Sequence, residues 1–140
     1  MTHPVLENAR KHPARDAAMR SITAVEECDR EAWLANWHPE GVLEDPVGPS
    51  PMDPQGNGHH GIDAITAFYD NIIATMKVRF CIRQSFACGN ECANVGTITT
   101  SGGDAVARTE LMMVYRVDDH GKVLSLRAFW EFEDTVANTF

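Results

Sequence analysis

The main period at which apolar residues recur changes near residue 77 of this chain, and that change limits the fold more than any other feature. Before it, apolar side chains recur every three or four residues, as on the buried face of a helix. After it, they alternate with polar residues, as in strands with one buried face. We therefore expect an α+β domain in which three N-terminal helices pack on a curved, mostly antiparallel sheet.

Three helices are predicted in the first half of the chain. The first begins near Ala14, and Asp29 is suited to cap the second. The second helix carries Trp37 on its apolar stripe and is ended by Pro39 and Gly41, because proline and glycine interrupt a helix. The third begins near His60 and has a strongly apolar face.

Four strands are predicted in the second half, at about 77–87, 92–100, 107–117 and 124–130. A sheet of such strands bent around helices encloses a blind pocket of the kind that binds a small apolar molecule. On the third strand, the face opposite Met112 and Val114 is formed by Thr109, Leu111, Met113, Tyr115 and Val117. The face that holds Met112 and Val114 is more apolar than solvent favours, which predicts a homodimer through the sheet.

A short strand at 42–45 ends at a carboxylate whose direction can be predicted. Pro46 keeps Asp45 extended. Because side chains alternate in a strand, Asp45 shares a face with Leu43 and is opposite Glu44. If Leu43 is in the core, the carboxyl of Asp45 also points inward. The following loop, 46–58, contains four prolines and three glycines and has the length of a functional lid or a disordered segment.

The length of 140 residues predicts one domain, 1–140, in which 1–13 form a loose or short helical lead-in. A net charge of −8 argues against nucleic acid as the partner, since that affinity depends on clustered Lys and Arg. No apolar run approaches the roughly 20 residues that cross a bilayer. The first residues do not resemble a signal peptide. We expect a cytoplasmic protein.

No metal or cofactor is expected. Cys88 and Cys92 are spaced as metal ligands can be, but no histidine lies near them in sequence. His59 and His60 are interpreted as a solvated pair without a third ligand. No glycine-rich phosphate loop follows a predicted strand.

Several motifs together point to a known family. They are Glu44-Asp45-Pro46-Val47-Gly48, Gly61 before Ala67-Phe68-Tyr69, and the runs 115–123 and 127–130. With these motifs the chain resembles the ketosteroid isomerase branch of the NTF2-like, or SnoaL-like, superfamily, and especially actinobacterial ketosteroid-isomerase-like proteins. The resemblance spans about residues 15–133. It implies a cone-shaped NTF2-like (cystatin-like) fold, a homodimer and an apolar, steroid-like ligand.

The resemblance also implies a reaction, in which a carboxylate moves a proton between two carbons of an enone without a cofactor. Matched position by position, the carboxylate is Asp45. The residues expected to contact substrate, in part through this match, are Ser21, Val25, Trp37, Val47, Leu111, Met113, Leu126 and Trp130.

The groups that stabilise the enolate oxygen in this family are a tyrosine and a protonated aspartic acid. Their positions hold Ser21 and Met113 in this chain. A helix tyrosine that supports the family's donor is matched by Tyr69, and a pocket position is matched by Asn94. Tyr69 and Asn94 are therefore the expected replacements that polarise the carbonyl.

Two other functions fit the same residues. In the first, the cavity binds an apolar, steroid-like ligand without turnover, because the two strong donors are replaced. In the second, the protein is a SnoaL-like dehydratase or epoxide hydrolase, in which Asp45 activates a water molecule held by Asn94.

Overall fold

The computed structural model describes residues 2–137, and over them the chain forms five α-helices, one 3-10 turn and six strands. The helices are α1 (Pro4–Asn8), α2 (Pro13–Glu26), α3 (Arg30–Ala35), α4 (Ile62–Asn71) and α5 (Phe132–Ala137), with the 3-10 turn at Ile73–Thr75. The strands are β1 (Trp37–Glu44), β2 (His59–His60), β3 (Lys77–Cys88), β4 (Glu91–Gly102), β5 (Ala105–Val117) and β6 (Val123–Phe129). No helix in this part of the chain is long and apolar enough to cross a membrane.

All six strands belong to one curved, unclosed sheet in the order β2-β1-β6-β5-β4-β3. Only the β1–β6 pair is parallel among the described strands. The predicted α+β class with a mostly antiparallel sheet is confirmed, and the four predicted strands are its β3–β6 part. The pattern did not predict that β1 and β2 extend the sheet. β1 pairs with β6 across a long sequence separation, as in Leu43 beside Leu126, and such a pairing leaves no local signal.

The boundary predicted for the second helix is wrong. Asp29 does cap α3, accepting a hydrogen bond from the Ala32 amide at 3.1 Å, but the helix ends at Ala35 and Trp37 begins β1. The Trp37 ring lies over Gly41, where a Cβ atom would come within 2.6 Å of it. Trp37 also contacts the Trp33 ring, with 5.7 Å between centroids, so the helix-like spacing reflects a contact between two elements.

The first residues form the short helix α1, one of the two alternatives left open by the sequence. His3, just before it, is buried, and its Nε2 lies 2.6 Å from Oε1 of Glu26 at the end of α2. The other oxygen of Glu26 accepts a hydrogen bond from the Phe80 amide at 2.9 Å. These contacts fasten the N-terminal residues to α2 and β3.

The core lies between the helices and the inner face of the sheet. In β5 every second residue from Thr109 to Val117 is buried, whereas Glu110 and Met112 between them are exposed, so the predicted alternation is confirmed. α2 packs across β3, β4 and β5, and α4 packs against β1. The sheet curves around these helices and leaves a hollow between them.

Candidate active site

The hollow is a cavity of about 260 Å³, bounded by the inner face of the sheet and by residues of α2, α3, α4 and α5. This volume is near the lower end of the range for small-molecule sites. Most of its wall is aliphatic or aromatic, including Met52 from the loop between β1 and β2. The wall residues with a carboxyl or hydroxyl group are Ser21, Asp45, Thr100, Thr109, Tyr115 and Thr135. Such a site suits an apolar molecule with few polar atoms.

Asp45 follows β1 directly and lines the cavity together with Leu43. Glu44 lies on the other side, where it accepts a hydrogen bond from Nε of Arg127 at 2.9 Å. This is the arrangement that strand alternation predicts. The indole Nε1 of Trp130 donates to Oδ1 of Asp45 at 2.6 Å and so orients the carboxyl. Trp130 also lines the cavity.

Burial raises the pKa of Asp45 above its ordinary value, because an apolar environment disfavours the charged form. The hydrogen bond from Trp130 and the proximity of His59 oppose this rise. A carboxylate with a raised pKa is a stronger base toward carbon acids than a solvated one, and its working range lies closer to neutral pH.

Tyr115 is a cavity residue that the sequence pattern placed on the inner face but did not single out as part of the site. It is buried, and its hydroxyl donates to Oγ of Ser21 at 3.1 Å. The Sδ atom of Met113 lies 4.0 Å from the same hydroxyl. Burial raises the pKa of Tyr115, so the phenol remains protonated at neutral pH.

A second hydroxyl cluster lies at another part of the wall. Oγ1 of Thr109 on β5 and Oγ1 of Thr135 on α5 are 2.8 Å apart, and Thr100 lines the cavity as well. No sequence signal distinguished these threonines from other strand residues.

The interpretation of the histidine pair as solvated is wrong for His59. His59 pairs with Leu43 in the sheet, and its ring packs on Phe68 with 4.9 Å between centroids. Its Nε2 is buried and has no hydrogen-bond partner among residues 2–137. His60 is exposed. The strand β2 separates the two side chains, because neighbours in a strand point to opposite faces.

The structure brings seven of the predicted site residues to the cavity wall, namely Ser21, Val25, Asp45, Leu111, Met113, Leu126 and Trp130. It places Tyr69, Asn94, Trp37 and Val47 elsewhere. Trp37 is buried beside Trp33. Val47 is half-buried, and its amide donates to the carbonyl of Ala128 at 2.9 Å.

The two expected carbonyl-polarising residues are both buried away from the cavity wall. Tyr69 packs on Trp33, with 5.2 Å between ring centroids, while its neighbour Phe68 lines the cavity. One residue along a helix turns the side chain by roughly 100°, which accounts for the difference. Asn94 accepts a weak hydrogen bond from Sγ of Cys92 at 3.5 Å, and its Nδ2 has no partner in the described part of the chain.

A depression of about 560 Å³ lies on the outer surface, between α2, α3 and Lys122. It is open to solvent, and its cationic groups are engaged within the chain. Arg20 donates to Oδ1 of Asn36 at 3.0 Å, and Nζ of Lys122 donates to the carbonyl of Ala35 at 2.6 Å. Asp45 and its partners are not part of this depression, so the cavity beneath the sheet is the better candidate site.

Metal ligation by side-chain clusters is not evident in the described residues. Over residues 2–137, no group of three or more His, Cys, Asp or Glu side chains is arranged to hold a metal ion.

Comparison with known proteins identifies related chains. Residues 18–126 match the family model of the SnoaL-like domain. The steroid Delta-isomerase of Nocardioides simplex is 32% identical over 120 residues, which are 86% of this chain and 91% of that protein.

Solved structures similar to this chain include a ketosteroid isomerase. RV0760c from Mycobacterium tuberculosis has a TM-score of 0.86 and 27% identity, covering 95% of this chain and 98% of that one. Another structure of RV0760c is a complex with estradiol-17beta-hemisuccinate. Delta 5-3-ketosteroid isomerase from Mycobacterium sp. has a TM-score of 0.83 and 31% identity, covering 93% and 98% of the two chains.

Proposed function

This chain belongs to the SnoaL-like (NTF2-like) family, and from that premise we propose that it is a ketosteroid isomerase-like enzyme. Its substrate would be a steroid-like or polycyclic ketone, and Asp45 would move a proton between two carbons of that substrate without a cofactor. The observation that carries this proposal is a carboxyl group inside an apolar cavity, oriented at 2.6 Å by the indole of Trp130.

The environment of Asp45 supports a base that works near neutral pH. Burial raises its pKa, so the rate should rise with pH through a pKa above the ordinary value of about 3.9 for aspartate. The apolar wall, including Val25, Leu111 and Leu126, suits a fused-ring hydrocarbon body. The relatives named as steroid isomerases support the same class of substrate.

The test is Asp45→Asn, with turnover of a β,γ-unsaturated steroid ketone and ligand affinity measured separately. Asparagine keeps an oxygen that accepts from Trp130, so the cavity should still bind. We expect turnover to fall by roughly a hundredfold to ten-thousandfold, the usual contribution of a general base. Glu44→Gln, on the opposite side of the strand, is the matched control and should retain turnover.

The alternatives predict different outcomes in isotopically labelled water. Proton transfer through Asp45 forms the conjugated ketone, and deuterium enters that product only where the protonated carboxyl exchanges with the labelled water before it returns its proton. A binding protein without turnover shows affinity, no product and no exchange in either variant. A dehydratase or epoxide hydrolase exchanges or incorporates oxygen from labelled water. Either of the last two results contradicts the proposed isomerase.

We also propose a homodimer through the outer face of the sheet. Phe86, Met112 and Phe129 are the exposed large hydrophobic residues of the described chain, with exposures of 62%, 38% and 37%. Val95, Met112 and Phe129 are neighbours across β4, β5 and β6 and form a continuous apolar strip. Phe86 lies on β3 opposite Ala93, one pair of residues farther along the sheet. A second copy of the same strip would cover it.

Sedimentation of the wild type and of Met112→Lys tests this assembly. We expect a dimer for the wild type and a monomer for the variant, because a charge at the centre of an apolar interface lacks a partner. Asp63→Lys, at an exposed position of α4, should leave the dimer intact. A monomeric wild type contradicts the assembly and leaves the proposed reaction unaffected.

A cytoplasmic location is part of the proposal. All four cysteines are free, and Cys28, Cys81 and Cys88 are exposed. A reducing compartment keeps such thiols from forming disulfides. Cell fractionation tests the location directly.

A further inference from the structure

We infer that Tyr115 is the hydrogen-bond donor to the carbonyl oxygen of the ligand and that Ser21 positions its hydroxyl. This inference rests on the proposed proton transfer by Asp45. Removing a proton beside a carbonyl moves negative charge onto the carbonyl oxygen, so the site needs a donor where that charge develops.

Tyr115 lines the cavity, and its hydroxyl lies close to helix α2, which faces the sheet. The hydroxyl is 3.1 Å from Oγ of Ser21, and both residues line the cavity. Ser21 is buried on α2, at the position where the resembled family carries its tyrosine donor. In this chain a phenol therefore reaches the side chain at that helix position from strand β5.

Tyr115 and Asp45 are spaced so that a ligand can lie between them. Leu43, Leu126 and Tyr115 are neighbours across β1, β6 and β5. Asp45 is one inward position beyond Leu43. With strands about 4.8 Å apart and a rise of about 3.3 Å per residue, the Cα atoms of Tyr115 and Asp45 are roughly 12 Å apart. That distance accommodates one ring system between the two side chains.

The hydroxyl of Tyr115 can be redirected to a ligand without leaving a polar atom unpaired. Its present acceptor is Ser21, and its other neighbour is the thioether of Met113, a weak acceptor. A serine hydroxyl both donates and accepts, so Ser21 can turn and donate to the phenol oxygen when the phenol donates to the ligand. Burial, with a smaller effect of nearby Asp45, raises the pKa of Tyr115 and keeps it a donor.

The other polar residues of the described chain fit this role less well. Tyr69 and Asn94 do not line the cavity. The threonine hydroxyls of the wall lie farther along the sheet. Thr109 is six residues from Tyr115 along β5, about 20 Å at the usual rise per residue. Thr135 contacts Thr109, and Thr100 pairs with Ala107, which is farther still from Tyr115. Tyr115, with Ser21, is therefore the hydroxyl group best placed to act together with Asp45.

The chemical step balances within the substrate and Asp45. The carboxylate takes a proton from the carbon beside the carbonyl, the C–H electron pair forms a carbon–carbon double bond, and the carbonyl π electrons move to oxygen. Tyr115 keeps its proton and donates a hydrogen bond to that oxygen. The protonated Asp45 then returns its proton to a different carbon, which restores the carbonyl and shifts the double bond.

The first test measures the donor without turnover. In the Asp45→Asn background, a phenolic steroid is bound and its ionised fraction is followed by ultraviolet absorbance. Tyr115→Phe should lower the ratio of ionised to neutral ligand by roughly tenfold or more, since a hydrogen bond to a charged oxygen is lost. Tyr69→Phe is the matched control and should leave the ratio unchanged. An unchanged ratio in Tyr115→Phe, or an equal fall in the control, overturns the inference.

A second test leaves Tyr115 in place, in case its substitution prevents folding. The chain has two tyrosines, so meta-fluorotyrosine incorporated into Tyr69→Phe labels position 115 alone. Fluorine NMR is recorded with a steroid ketone and with its deoxygenated analogue at saturation. A shift with the ketone that the analogue does not produce supports the hydrogen bond. Equal shifts with both ligands overturn it.

Turnover separates this inference from the proposed function. With a β,γ-unsaturated steroid ketone, Tyr115→Phe should lower kcat by roughly a hundredfold to a thousandfold, the usual loss for one oxyanion donor. Ser21→Ala, which removes only a positioning group, should lower kcat less. If the wild type turns over no such ketone, the proposed reaction fails, whereas the ionisation and fluorine measurements still decide whether Tyr115 contacts a ligand oxygen.

Discussion

The two faces of the sheet consist of alternate residues of the same strands, and they shift the pKa of a carboxyl group in opposite directions. At the inner face, burial raises the pKa of Asp45. At the outer face, Glu110 accepts hydrogen bonds from Arg83 and from Oγ1 of Thr97, the latter at 3.0 Å, and these bonds lower the pKa of Glu110. A solvated carboxylate with donors is held in its charged form, whereas a carboxylate in an apolar cavity is kept basic.

This comparison also shows what each face requires of its neighbours. The inner face depends on close packing with the helices, because its residues surround a cavity that must stay open. The outer face has ion pairs and an apolar strip, and it tolerates changes of side-chain volume. Substitutions at adjacent residues of one strand should therefore have unequal effects.

The largest difference in the free energy of unfolding between an inner-face and an outer-face substitution is expected at β4. A Cβ atom at Gly96 would lie 2.2 Å from the carbonyl oxygen of Cys81 and 2.9 Å from Cα of Ile82, both in the backbone of β3. Gly96→Ala should lower the free energy of unfolding by about 3 kcal/mol, because backbone atoms cannot move aside cheaply. Val95→Ala on the outer face is the control, with an expected loss below about 1 kcal/mol in the monomer. Urea denaturation measures both, and equal losses contradict the asymmetry.

A difference of intermediate size in the free energy of unfolding is expected between substitutions at two neighbouring residues of β5. Leu111 is buried at the cavity wall, whereas Met112 is 38% exposed. Leu111→Ala should lower the free energy of unfolding by about 2 kcal/mol, the low end for a buried leucine, because part of its surroundings is already empty. Met112→Ala should cost less than about 0.5 kcal/mol at protein concentrations where the chain is monomeric. A larger loss that grows with concentration would indicate a dimer through this residue.

The smallest effect is in the pH dependence of stability, and its sign should differ between the faces. The pKa of Asp45 is raised by folding, so ionising it costs stability as pH rises above the ordinary aspartate value of about 3.9. Asp45→Asn should therefore raise the melting temperature at neutral pH, and the increase should disappear as pH falls toward that value.

Glu110 should behave in the opposite sense. Its pKa is lowered by folding, so it stabilises the protein above the unfolded pKa, and this contribution is lost as pH falls through the folded pKa. Glu110→Gln should lower the melting temperature slightly at neutral pH and not at acid pH. Melting curves of both variants between acid and neutral pH, compared with the wild type, test this; shifts of the same sign contradict the comparison.

Much of this fold could be predicted because its signals are local. The alternation at β5, the cap at Asp29 and the long proline- and glycine-containing loop each depend on residues close in sequence, and the structure contains all three. The end of the second helix was predicted wrongly. Trp33 and Trp37 are four residues apart, the spacing of one helical face, but they contact each other from two different elements.

The candidate site was predictable only in part. The inward direction of Asp45 could be predicted from the alternation of side chains in a strand and from the proline that follows it, which are local features. The partners of Asp45 and Ser21 cannot be predicted in this way, since Trp130 directly after β6 and Tyr115 on β5 lie far away in the sequence. Tyr69 and Tyr115 are both buried tyrosines, and nothing local distinguishes Tyr115 as the one that lines the cavity.

By itself, the sequence determined which residues of the long strands face inward, as in β5, because the alternation of apolar and polar residues is a property of consecutive residues. Tertiary structure alone decided which inward residues border the cavity and which fill the core. Whether an inward residue borders the cavity or fills the core depends on where α2 and α4 cross the curved sheet. That crossing depends in turn on the combined shapes of side chains that meet only after folding.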